Sequence, residues 1–230
     1  MCKKIYGFYF IAAINSFKEL VTEQIYRLTN SELYKKTDKL FIRVFYENEK
    51  DKIFLLNFLS NLEKVEISFT DKNEYEFGIL NIIKKISTIE NFYCYYFHTK
   101  GVSITEDNFL KYKIKKFNVL KRNVESWRKI MEFFLFDKFE DNLKRLDENF
   151  DCCGVNLKPT KKTKSYHYPG NFWWSTSYYI QKLPPIDSLD LNYRWNAEFW
   201  IGLGLGKMYS YCDDIKIGYK HNTLPEEYII

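Results

Sequence analysis

The sequence predicts an α/β protein built on a Rossmann-type, mostly parallel sheet flanked by helices. Three observations carry that prediction. Phe92 to Phe97 form an unbroken run of six apolar or aromatic residues, too short for a capped helix and suited to a strand buried on both faces. Strand-like and helix-like segments alternate four times before residue 98, the pattern of a parallel sheet with helical crossovers. The 230 residues suffice for one sizeable domain.

In chain order, Ile5–Ala13 reads as the first strand. Ser16 and Glu19 have capping-box spacing, and Phe17, Leu20, Val21, Ile25 and Leu28 recur at helical intervals to about Asn30. Leu40–Phe45 reads as a strand, Ile53–Leu62 as a helix, Val65–Phe69 as a strand and Glu76–Ile89 as an amphipathic helix, before the strand Phe92–Phe97. The pattern changes afterwards. Thr105–Arg122 is rich in lysine and reads as a solvated loop, with a lid over a phosphorylated ligand as the alternative. Asn123–Leu146 is helical with a restart near Asp137 and Glu140, and Asp151–Leu157 is a further strand. Lys158–Lys164 reads as an exposed basic loop.

Composition narrows the function classes. Lys and Arg total 35 against 30 Asp and Glu, a net charge of +5. That excess is mild and dispersed, which argues against a dedicated nucleic-acid binder. Five cysteines, Cys2, Cys94, Cys152, Cys153 and Cys212, form an odd set without zinc spacing and read as reduced thiols. With no signal-peptide pattern and no membrane-length apolar run, a cytoplasmic location is expected, with peripheral contact to a membrane or a lipid-linked acceptor left open. Gly202, Gly204 and Gly206 follow a helix-like segment, so no dinucleotide fingerprint is read there.

The strand Phe92–Phe97 stops at His98-Thr99-Lys100-Gly101. Ligands of open α/β sheets bind beyond the carboxyl ends of the strands. Two potentially cationic side chains and a glycine at that point suit an anionic group such as a diphosphate. An ordinary polar turn is the alternative. Downstream, Gly170-Asn171-Phe172-Trp173-Trp174 sets two indoles side by side. Neighbours on an extended chain face opposite ways, so at least one is expected to line a cleft, unless both are shared between two halves of the core.

The chain resembles a family of small glycosyltransferases of bacteria and large DNA viruses, some of which act in capsule, lipopolysaccharide or capsid-glycan synthesis. The resemblance rests on blocks in the same order: Asn15–Glu19 with Glu23-Gln24, Glu74-Tyr75-Glu76 with Leu80, and Phe97–Ser103. Then follow Trp127-Arg128 with Met131-Glu132, Asp151 with Gly154-Val155-Asn156, Gly170–Trp174 and Ala197–Trp200. It implies a GT-A-like fold within one domain, residues 1–103 binding the nucleotide sugar and 104–230 the acceptor. It implies transfer of a sugar from a nucleotide-diphosphate donor to a glycan or other carbohydrate, the alternative being a non-catalytic carbohydrate-binding protein that keeps the fold.

Under that resemblance, Lys100 stabilises the leaving diphosphate and Glu198 is the base. Asn15, His98, Thr99, Gly101, Arg128 and His221 join Lys100 around the donor. His167, Asn171, Trp173 and Trp174 form the acceptor floor. Where GT-A enzymes usually carry Asp-x-Asp for a divalent metal, Mn or Mg, this chain reads His98-Thr99-Lys100. A protonated lysine cannot ligate a metal but neutralises phosphate directly, so a reduced or absent metal requirement is expected, with Asp213, Asp214 and His221 as fallback ligands. A lone Glu198–Arg194 pair at a helix start is the bland alternative for Glu198.

Overall fold

A computed structural model describes residues 3–160 and 165–228. The strands are β1 (Lys4–Ala13), β2 (Lys39–Tyr46), β3 (Val65–Thr70), β4 (Phe92–His98), β5 (Cys152–Val155), β6 (Lys158–Pro159), β7 (Tyr166–His167), β8 (Trp173–Thr176) and β9 (Met208–Tyr211). The helices are α1 (Phe17–Thr29), α2 (Glu32–Lys36), α3 (Glu49–Leu59), α4 (Phe77–Ser87), α5 (Phe117–Glu132), α6 (Phe139–Asp147), α7 (Ser177–Lys182) and α8 (Trp195–Phe199). One seven-stranded sheet runs in the order β3-β2-β1-β4-β8-β5-β9. β1 to β4 are mutually parallel, and β8 is antiparallel to both β4 and β5. A mostly parallel α/β sheet flanked by helices is therefore what the chain forms. Its members come from both sides of residue 103.

Alternation along β1 divides the core. Ile5, Tyr9, Ile11 and Ala13 pack with α1, α2, α3, α5 and α6 on one face. Tyr6, Phe8 and Phe10 pack with α4, α7 and α8 on the other. With both faces covered, β4 is buried from Phe92 to Phe97, as a continuous apolar run requires.

Several local expectations change. The Ser16–Glu19 capping box does not form, because Ser16 has ψ near 32° rather than the extended backbone that aims a cap oxygen into the first turn. α3 starts before Ile53 because the Asn48 side chain accepts from the Asp51 N–H and caps a polar first turn. α5 starts at Phe117, six residues before Asn123, so part of the lysine-rich segment is helical; a short 3-10 turn spans Phe109–Tyr112. The restart near Asp137 is real: a π-type turn, Phe133–Asp137, separates α5 from α6. There the Asn142 amide donates to the carbonyls of Phe134 and Lys138. Of the basic loop Lys158–Lys164, residues 161–164 lie outside the described residues, as does Cys2.

The tryptophan pair is a clear correction. Trp173 is 0% and Trp174 1% exposed, so neither lines a cleft. β8 lies between β4 and β5, and each face of it meets a covered core: Trp173 packs beside Tyr96 in one cluster and Trp174 beside Tyr95 in the other. Their indole N–H groups donate to Asn171 Oδ1 and the Leu135 carbonyl, 2.9 Å each, which removes the cost of burying them.

Candidate functional site

The chain folds back between β3 and β4, so β1 has β2 on one side and β4 on the other. Beyond the carboxyl ends of these strands, where open α/β sheets place ligands, lies a cleft of about 180 Å³. His98, Thr99, Lys100 and Gly101 enter it from the end of β4, Glu76 from the start of α4, and Arg194, Trp195 and Glu198 from α8 and the residue before it. Lys100 through Ile104, apart from Ser103, also border a second cavity of about 280 Å³ against α1 and α5.

Lys100 is the best placed of the predicted donor contacts. Its ammonium lies 4.1 Å from the centroid of the Trp127 ring and 5.7 Å from that of Tyr219. Aromatic faces hold the cation without neutralising it, and no described carboxylate lies within ion-pair distance. Gly101 follows with φ +94°, and a Cβ there would sit 2.6 Å from Val124 Cγ1. Both the left-handed backbone and the close approach of α5 require glycine.

His98 does not supply charge. Burial, reinforced by the Lys100 ammonium, pushes its imidazole down to about 4, so the ring is neutral at pH 7. Its Nε2 lies 2.9 Å from the Gly170 carbonyl and donates to it, while Nδ1 is 3.5 Å from Glu76 Oε1. Burial raises the Glu76 carboxyl, against the pull of Lys100 and Arg194. The cation that joins Lys100 in the cleft is Arg194, not His98.

Glu198 reaches the cleft from α8. Its Oε1 accepts the Gly170 N–H at 2.9 Å and lies 3.9 Å from His167 Nε2; Oε2 has no protein donor among the described residues. Arg194 is not its ion-pair partner and instead lies 4.8 Å over the Trp195 ring, so the bland pairing is absent. Gly170 thus touches both ends of the site, its N–H on Glu198 and its carbonyl on His98. It has φ +97°, and a Cβ would meet Met131 Sδ at 2.5 Å.

Other predicted residues have their polar atoms committed to the protein frame. Thr99 is 3% exposed, and its Oγ1 accepts the Ala12 N–H, tying β4 to β1. Asn15 lies outside the cleft, donating to the Val102 carbonyl and bracing the loop from behind. Arg128 is buried against Glu132 (2.9 Å) and Glu23 (2.8 Å) and borders the second cavity, its charge already balanced. Asn171 borders the cleft but spends its Oδ1 on Trp173 and its amide on the Ala197 carbonyl. His167 lies in an adjoining groove with Glu198. His221 is exposed and outside the cleft.

The fallback metal ligands do not assemble: Asp213 accepts from Ser210, and among the described residues no three His, Cys, Asp or Glu side chains converge. At the usual Asp-x-Asp position, the Thr99 hydroxyl and His98 Nε2 are both committed to the protein. The residues present do not fit a metal cradle there.

Glu76, Arg194, Trp195 and Tyr219 are site residues that sequence reasoning did not assign. Two had a signal: Glu76 belongs to a block that carries the resemblance, and Arg194 stands four residues before Glu198. Tyr219 arrives from a distant loop and has none.

No protein-family model matches the chain, and no curated protein matches it in sequence. Among solved structures it is similar to 4-diphosphocytidyl-2C-methyl-D-erythritol synthase from Anaerococcus prevotii DSM 20548, at TM-score 0.44 and 12% identity over 99% of this chain and 93% of that one. A second 4-diphosphocytidyl-2C-methyl-D-erythritol synthase structure gives 0.40 and 9% over 100% and 96%.

Proposed function

We propose that this protein is a glycosyltransferase that moves a sugar from a nucleotide-diphosphate donor to a carbohydrate hydroxyl. One observation carries the reading: Lys100, at the end of β4, and Glu198, on α8, border the same cleft at the carboxyl ends of the central strands. In the reaction, the acceptor oxygen bonds to the anomeric carbon and the bond from that carbon to the diphosphate oxygen breaks. The electron pair leaves with the diphosphate, where Lys100 and Arg194 meet it. The acceptor proton passes to the Glu198 carboxylate. Preorganised charge at the leaving group and a positioned base are the two aids such a transfer needs.

The Gly170 N–H fixes one oxygen of Glu198 and leaves the other for the acceptor proton. The neutral His98 ring braces Gly170 from the opposite side, so it acts as a positioning residue.

The test is to incubate the protein with a panel of nucleotide sugars and measure release of nucleoside diphosphate. Release that falls in Lys100→Met and in Glu198→Gln supports the reading. Tight sugar binding without release would replace it with a carbohydrate-binding protein.

A further inference from the structure

Beside the cleft runs a groove of about 400 Å³ whose lining includes Pro159, His167, Tyr193, Trp195, Phe199 and Glu198. Trp195 and Glu198 belong to both spaces. The described lining of the groove contains no lysine or arginine, whereas that of the cleft contains Lys100 and Arg194. The groove's surface is instead aromatic. Phe199 meets the His167 ring edge to face at 5.0 Å, and Trp195 remains 39% exposed although Arg194 covers part of it. A flat aromatic surface with few polar groups suits the apolar face of a neutral pyranose, while an anionic donor is drawn to the cationic cleft.

We propose that this groove is the acceptor subsite, taking a neutral pyranoside against Trp195 and Phe199 with one hydroxyl presented to Glu198. It rests on the transferase reading and assigns its second substrate to a definite surface. Glu198 then stands where the two substrates meet, as a base between them must. His167, whose Nε2 is 3.9 Å from Glu198 Oε1, borders the groove as well. The role assigned to Trp173 and Trp174 from sequence thus moves to a tryptophan on α8.

The experiment uses two sets of probes on the full chain. Methyl α- and β-pyranosides of glucose, galactose and mannose are titrated by saturation-transfer NMR, and the common nucleoside diphosphates by calorimetry. Trp195→Ala is expected to weaken pyranoside binding about tenfold, the loss of one aromatic contact, and Phe199→Ala, at a residue that lines the groove but not the cleft, is expected to weaken it while diphosphate binding persists. Lys100→Met is expected to do the reverse. Should Trp195→Ala fail to melt cooperatively, Trp195→Leu, which keeps apolar bulk but no flat face, takes its place. Pyranoside binding unchanged by the loss of Trp195, or absent for every pyranoside in the wild type, overturns the assignment. Trp195-dependent pyranoside binding in a protein that binds no diphosphate would uphold the groove as a saccharide site and remove the transferase reading instead.

Discussion

Trp173 and Trp195 lie 22 positions apart, each in an aromatic-rich stretch, and only Trp173 reads from sequence as part of a binding surface. Trp173 belongs to a strand inside the sheet and is fully buried; Trp195 opens a five-residue helix at the rim and is 39% exposed. The difference teaches that an indole's chemistry does not assign its role. A strand hydrogen-bonded on both sides, with helices over both faces, consumes its side chains as core. A short helix at the carboxyl end of the sheet leaves its side chains beside the cleft.

The comparison can be broken or sharpened by substitution, the largest effect coming from the helix side. Glu198→Gln keeps the contact with the Gly170 N–H but cannot take a proton, and is expected to lower the rate of nucleoside-diphosphate release by about 10²–10⁴-fold. Unchanged release would remove Glu198 as base. On the strand side, Trp173→Ala should cost about 3–5 kcal/mol of stability, read from the denaturant midpoint. Trp195→Ala should cost under about 1 kcal/mol, and equal losses would mean that the two environments do not differ as described.

Lys100→Met preserves bulk against Trp127 and is expected to reduce release by about 10²–10³-fold. A loss of that size without unfolding separates charge from packing.

His98 gives a pH signature. Its folded-state pKa, about 4, lies below the unfolded value near 6.5, so the unfolded chain binds the extra proton between those values. Its contribution is fully present above pH 6.5 and is lost as pH falls towards 4, roughly 3 kcal/mol in all. Glu76, whose carboxyl is raised, works in the opposite direction. His98→Gln should therefore flatten the fall in melting temperature from pH 6.5 to 4; a steeper fall would contradict a neutral buried ring. The smallest expected effect is that of a chelator, which should leave release unchanged if Lys100 and Arg194 carry the leaving charge.

The β1–β4 half was legible because its apolar periodicity, read residue by residue, already encodes which faces are covered. Lys100 followed from the abrupt end of that apolar run. His98 was read as potentially cationic, and burial lowers its imidazole instead, since a neutral or charged ring depends on burial that the neighbouring residues in sequence do not reveal. Asn15 and Arg128 were read as donor contacts because polar residues near a strand end or helix start carry no mark of the partner that will claim them. Here the Val102 carbonyl and the carboxylates of Glu23 and Glu132 do so.

By itself, the order of residues determined an alternating α/β chain and a cationic strand end, because both are local consequences of apolar spacing and of where it stops. The tertiary structure alone decided that β8 inserts between β4 and β5 and swallows two tryptophans, and that α8 brings Glu198, Arg194 and Trp195 to the mouth of β4. Strand order and helix docking are settled by which surfaces pair across long separations in the chain. No window of neighbouring residues contains that information.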